Sequence, residues 1–263
     1  MSPAAAAPSA FATLRRAAWS HPEWWAWGLI AAAWAALILR TGQASTPHLC
    51  VAARPGDLFG PLNGVSVLAR SGLWLRPLAD WTVMAAAMMG PLALAPGRYA
   101  AFRSRWRRRD RAMAGVLIGF GAAWLLVGLA VVAWLSAASP LIAAHRGLAG
   151  AAGLLAAAAW QLSPAKAAAL RACHRRAPLA PEGWRADADC LGLGWRQGGA
   201  CAASCWLLML CPMLAADSLA VMAAVSLVSL ADRYPQRPPV RATAAALAAS
   251  AGVWLLACAA GWA

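Results

Sequence analysis

The chain has 263 residues, of which 62% are hydrophobic and 12% charged, and it carries a net charge of +14. Its apolar residues gather in uncharged runs (24–39, 112–135 and 147–160), which argues against a soluble domain, whose helices need polar faces. The positive charge sits between these runs rather than on one face, so no nucleic-acid partner is expected.

In chain order the runs predict an all-α, polytopic transmembrane bundle of about seven spans. Residues 1–23 form a cytoplasmic tail. Arg15 and Arg16 precede no convincing cleavage site, so Trp24–Leu39 reads as a retained first span edged by Trp24, Trp25 and Trp27. Residues 24–263 then make one membrane domain. An outer loop over 40–77, broken by Pro47, Pro55, Gly56 and Pro61, ends in a surface helix over Gly64–Leu75. The second span, Leu78–Ala95, stops at Pro96-Gly97 before a basic inner loop, 98–111. Ala112–Leu135 is the third span, with Gly115 and Gly119 at a spacing that permits close helix approach.

Ser136–Arg146 reads as an outer turn. The fourth span begins at Gly147–Gln161 and its helix continues past the bilayer as Ser163–Arg176, within a second basic inner loop, 164–196. Gly198–Leu214 is the fifth span, Asp217-Ser218 a turn, and Leu219–Ala231 a short sixth span. The pair over 198–231 is also readable as one re-entrant hairpin. A Pro-rich inner segment, Arg233–Arg241, leads to the last span, Thr243–Trp262. Eighteen of the 23 lysines and arginines fall on the inner segments, which puts the N-terminus in the cytoplasm and the C-terminus outside.

Few residues offer chemistry. Asp80, Asp217 and Asp232 fall near span ends, and no acid or lysine is expected deep in a span, which disfavours a proton-coupled transporter. His21, His48, His145 and His174 lie in loops or at span ends, unlike the axial ligands of a membrane haem. No hydrolytic triad or phosphate-binding loop is present, so no enzymatic activity is expected. The seven cysteines are apportioned between apolar runs and a reducing inner loop, with Cys50 alone outside, so no structural disulfide is expected.

Sulfur remains. Met84 and Met88 stand at i, i+4 on the second span, and Cys201, Cys205 and Met209 at i, i+4, i+8 on the fifth. Thiols and thioethers are soft ligands suited to Cu(I). The spans put Met84 and Met88 in the outer half of the membrane, Cys201 near its inner face and Met209 between. The same residues also serve as adaptable core fillers, and spacing alone favours that reading. Cys173-His174 offers a second ligand pair or an ordinary basic helix end. The arginines around Trp106 read as a topological determinant in contact with lipid headgroups.

The ordered motifs resemble a known family. W-x-V-M-x-x-x-M-M-x-P (Trp81–Pro91) is followed by Q-L-S-P-x-K (Gln161–Lys166) with Cys173 behind it. Then come G-x-x-C-x-x-S-C-W-x-L-M (Gly198–Met209) and Asp232-Arg233. The set is similar to a bacterial family of predicted metal-binding integral membrane proteins, regarded as membrane copper chaperones for oxidases such as tyrosinase. That resemblance implies Cu(I) held by Met84, Met88, Cys201, Cys205, Met209 and Cys173, for delivery to a periplasmic or membrane copper oxidase. Where the family pattern carries further Cys and His, this chain has Ala169, Ala172, Gln197 and Ser204, and Asp217-Ser218 stands in place of a Met-Asn pair. Two other readings are a metal-free structural or assembly subunit of a membrane complex, and, less favoured, a small-solute permease.

Overall fold

The computed structural model describes residues 21–42, 75–214, 219–234 and 238–260. Among them the chain is helical from end to end, without strands: α1 (Trp24–Gly42), α2 (Leu75–Arg103), α3 (Arg109–Ala144), α4 (Arg146–Gln161), α5 (Pro164–Cys173), α6 (Gly183–Leu214), α7 (Leu219–Arg233) and α8 (Val240–Ala259), with a 3-10 turn at Trp106–Arg108. The expected all-α bundle is therefore what forms. Four helices, α2, α3, α6 and α8, are long and apolar enough to cross a membrane, and α4 with α5 makes a fifth if that pair, bent by 68°, is one span. Helix α1 is a shorter apolar helix and α7 has 15 residues, so among the described residues four or five of the seven expected spans qualify by length and composition. Most of the N-terminal tail, the surface helix over Gly64–Leu75, Cys50 and Asp217-Ser218 lie outside the described residues.

Several boundaries moved for identifiable reasons. Helix α2 runs through Pro91 and Pro96 to Arg103 instead of stopping at Pro96-Gly97. Each proline removes a backbone donor, but a bundle can tolerate this where neighbours take up the freed groups. The carbonyls freed are those of Ala87 and Leu92, and close by the Tyr234 hydroxyl donates to the Pro91 carbonyl at 3.3 Å. Helix α3 likewise passes through Pro140 and absorbs most of the expected outer turn. Ser163 caps α5, its hydroxyl accepting from the Lys166 N–H at 3.1 Å with Pro164 at the first helical position. That start signal breaks the continuous helix expected across Gln161–Arg176. The loop expected over 178–196 is mostly the first turns of α6, which begins at Gly183 with φ 78°.

Glycine sets the tightest helix pair. A Cβ at Gly198 would stand 2.7 Å from the Phe120 carbonyl oxygen, and one at Gly194 would collide with the Val116 carbonyl. Helices α3 and α6 therefore run parallel with their backbones nearly touching, in the small-residue manner of membrane helices. Antiparallel to α3, α2 seats the buried Trp81 against Gly128, and the Trp81 indole donates to the Trp124 carbonyl at 2.9 Å. Helix α1 follows α2 through Glu23–Arg98 (3.3 Å), Ile30 against Gly90, and an Arg40–Asp80 ion pair. Helix α8 packs on α4, its Trp254 indole donating to the Gly147 carbonyl at 3.1 Å.

One end of the bundle is stitched by polar contacts: Tyr99 to the Ala177 carbonyl (3.1 Å), Arg105 to Glu182 (2.8 Å), and Arg108 and Arg111 to Asp187. Outward, Ile118, Leu126, Leu227, Val253 and Leu256 are each more than half exposed. Apolar side chains outside and charges inside invert the pattern of a water-soluble bundle. The cysteine expectation is corrected at one position: Cys258 is disulfide-bonded. Its partner is not among Cys173, Cys190, Cys201, Cys205 and Cys211, which are free and buried. In sequence Cys258 counts with an apolar run, and it stands in the last turn of α8.

Candidate metal centre

Helix α6 carries two thiols on successive turns. Cys201 and Cys205 are both buried and, one turn apart on the same face of the helix, are close neighbours. Ser204 fixes their surroundings: its hydroxyl donates to the Cys201 carbonyl at 2.8 Å and lies 3.2 Å from the Cys205 sulfur. Cys173, at the end of α5, faces the pair, with Cys205 and Ser204 among its neighbours. Met84, Met88 and Met209 are buried in the same core cluster. The six sulfur residues marked by the sequence thus share one core.

Their order along the bundle differs from the expected one. Phe120 and Ala123 of α3 touch Gly198 on α6, while Trp124 and Gly128 touch Trp81 on α2. Since α2 runs the opposite way, Met84 and Met88 descend from the Trp81 level toward that of Gln197–Cys201. Met209 lies two turns further up α6 and does not come between them. Among the described residues no group of three or more His, Cys, Asp or Glu is placed to hold one metal ion. His21, His145 and His174 are exposed, and His174 turns away from buried Cys173 at the helix end. The donors available to a metal here are the two thiols of α6, a third on α5 and thioethers, a soft set with more affinity for Cu(I) than for hard cations.

Beside the thiols lies a buried polar network that sequence reasoning passed over. The Lys166 ammonium, on a residue 1% exposed, donates to Asp232 Oδ2 at 2.8 Å, and Gln161 Nε2 donates to the same oxygen at 3.0 Å. The Arg233 guanidinium donates to Gln197 Oε1 at 3.0 Å, and Gln197 Nε2 to the Arg175 carbonyl at 2.8 Å. This network flanks the sulfurs: Lys166 neighbours Cys173 and Cys205, and Arg233 neighbours Cys173 and Cys201. The Ser229 hydroxyl approaches Cys205 without completing a well-directed hydrogen bond.

Four buried polar atoms here have no partner among the described residues: Gln161 Oε1, Ser229 Oγ, Asp232 Oδ1 and Arg233 NH1. Unpaired buried groups are costly, and clustering of this kind marks a place where a ligand, an ion or water completes the bonding. The sequence signal existed in the Q-L-S-P-x-K and Asp-Arg motifs. Both sat at expected span ends, where charge is ordinary, and the bend at Ser163 is what folds Lys166 inward. A cavity of about 240 Å³ reaches this region from the basic end, lined by Tyr99, Cys173, His174, Gln197, Arg233 and Tyr234 among others.

A family model described as a copper chaperone matches residues 78–259, more than half of the chain. No curated protein and no solved structure matches it.

Proposed function

The chain belongs to this copper chaperone family, and from that premise we propose that it carries Cu(I) on Cys201 and Cys205 inside a membrane-embedded bundle and passes it to a copper enzyme. The observation that carries the reading is the buried pair of neighbouring thiols, one turn apart on α6, within the matched segment. Two protons leave as two thiols become the ligands of one Cu(I), and the polar atoms left unpaired around them are available to the resulting anion.

Cys173 has the position of a relay. It lines the cavity and also neighbours Cys205, so it can exchange with an incoming or departing ligand before the inner pair does. Met84 and Met88, at the level of the pair, supply neutral thioethers that add coordination without adding charge. Met209 is the outermost donor. Low-coordinate sulfur sites suit a carrier because a recipient's ligand can add before a donor's ligand leaves. The reading requires no covalent catalysis.

For the orientation we infer that α1 and α7 also cross, as short spans, which gives a cytoplasmic N-terminus and an outer C-terminus in a bacterial inner membrane. The arginine distribution supports it, and so does the disulfide at Cys258, since disulfides persist on the oxidising side. The recipient is then a periplasmic or membrane copper oxidase. The test is copper stoichiometry in purified, reduced protein, with Cys201→Ser/Cys205→Ser compared with wild type. About one copper per chain, lost in the double variant, is the expected result. Metal content unaffected by the double substitution would remove the proposed site and favour a structural or assembly role.

A further inference from the structure

The buried charges beside the thiols have a definite sum. Lys166 and Arg233 contribute two positive charges and Asp232 one negative, and all three residues are buried. The other basic groups of the cavity, His174, Arg175 and Arg176, are exposed, where water and salt screen them. A net charge of +1 therefore faces the thiol pair. Such a charge is expensive to keep in a low-dielectric interior unless something compensates it. Arg233 NH1, which has no acceptor among the described residues, leaves part of this positive charge unmet by the protein's own groups.

Resting on the copper reading, we propose that Lys166, Asp232 and Arg233 make the site selective for a monovalent soft cation over a divalent one. Two thiols that bind one M⁺ release two protons to water and leave a bis-thiolate complex of charge −1. Added to the +1 of the network, this gives a neutral interior. The same thiolates around Zn(II) form a neutral complex and leave the +1 uncompensated, although zinc also favours thiolate ligands. Ligand softness alone therefore does not separate the two metals here, whereas charge does. Arg233 acts as a positioning residue, setting the field at Cys201 from across the Gln197 hydrogen bond. Unit charges about 6 Å apart at an effective dielectric near 20 attract by enough to change an affinity about 100-fold.

The experiment uses the full chain, reduced, in detergent or nanodiscs, with Ag(I) and Zn(II) as probes in chelator competition. Arg233→Gln removes the surplus charge while leaving the Lys166–Asp232 pair intact. The Ag(I)-over-Zn(II) preference should fall by roughly tenfold to 100-fold, and Arg233→Lys should recover most of it. Gln197→Glu offsets the same charge through its direct contact with Arg233, which is itself left in place, and should shift the preference in the same direction, which covers the case of a poorly folded arginine variant. A preference unchanged in both Arg233→Gln and Gln197→Glu, or an equal loss for both metals, overturns the proposal. Wild-type protein that takes up neither Ag(I) nor Cu(I) overturns the copper reading beneath it, a separate failure.

Discussion

Replacing Lys166 by methionine should destabilise the bundle by about 3–5 kcal/mol, and replacing Asp232 by leucine should do the same, because each change strands its partner as a buried, uncompensated charge. The magnitude follows from the geometry. The ion pair is 2.8 Å between atoms with both side chains at most 1% exposed, so solvent screening is negligible. Charge centres about 4 Å apart attract by about 4 kcal/mol even at an effective dielectric near 20. Asp232→Leu also strips the Gln161 amide of its acceptor, which adds about 1 kcal/mol. The double variant Lys166→Met/Asp232→Leu removes both charges and should return to within about 1 kcal/mol of wild type. Unfolding in mixed micelles, followed through the chain's 16 tryptophans, closes the double-mutant cycle. Single variants that each cost less than about 1 kcal/mol, or a double variant that costs their sum, would refute the reasoning. Either outcome would mean that the pair is hydrated or that its members act independently.

Two further outcomes follow from the packing. Gly194→Ala places a methyl group against the Val116 carbonyl and should cost about 1–3 kcal/mol by separating α3 from α6, whereas Gly199→Ala, with open space around it, should be neutral or slightly stabilising; size-exclusion profiles and melting temperatures of the two variants give the comparison. Cys258→Ser should abolish a mobility shift between reduced and non-reduced gels and lower stability by about 2–4 kcal/mol while leaving copper stoichiometry unchanged; copper lost along with the disulfide would tie that bond to the metal centre.

The apolar core of each helix was legible because periodicity and charge exclusion act locally. Trp24–Leu39, Ala112–Leu135 and Gly198–Leu214 all lie inside observed helices. The ends were less legible, because proline and polar residues stop a helix in water but not in a bundle that supplies partners. Pro96 and Pro140 sit inside helices for that reason. The glycines at Gly115 and Gly119 were visible as a motif, but the stretch of α6 they meet, from Cys190 to Trp195, was not. Pairing is a property of two helices, and nothing within one of them names the other.

The site shows the same division. The sulfurs at Cys201 and Cys205 could be found because an i, i+4 spacing needs only one helix to bring two groups together. Lys166 and Asp232 are 66 residues apart, and their meeting depends on the Ser163 cap bending α5 toward α7. Read singly, each is a charge at the end of an apolar run, and its most economical explanation is solvent. Read together, beside thiols and unpaired polar atoms, they give the site its charge. On the proposed reading, sulfur alone would make a pocket for soft metals in general, while the sum of Lys166, Arg233 and Asp232 would make it one for a soft metal with a single positive charge. A chain retaining both thiols but altered at Lys166 or Arg233 should therefore hold metal differently from this one. That difference would be invisible to any search confined to cysteine and methionine.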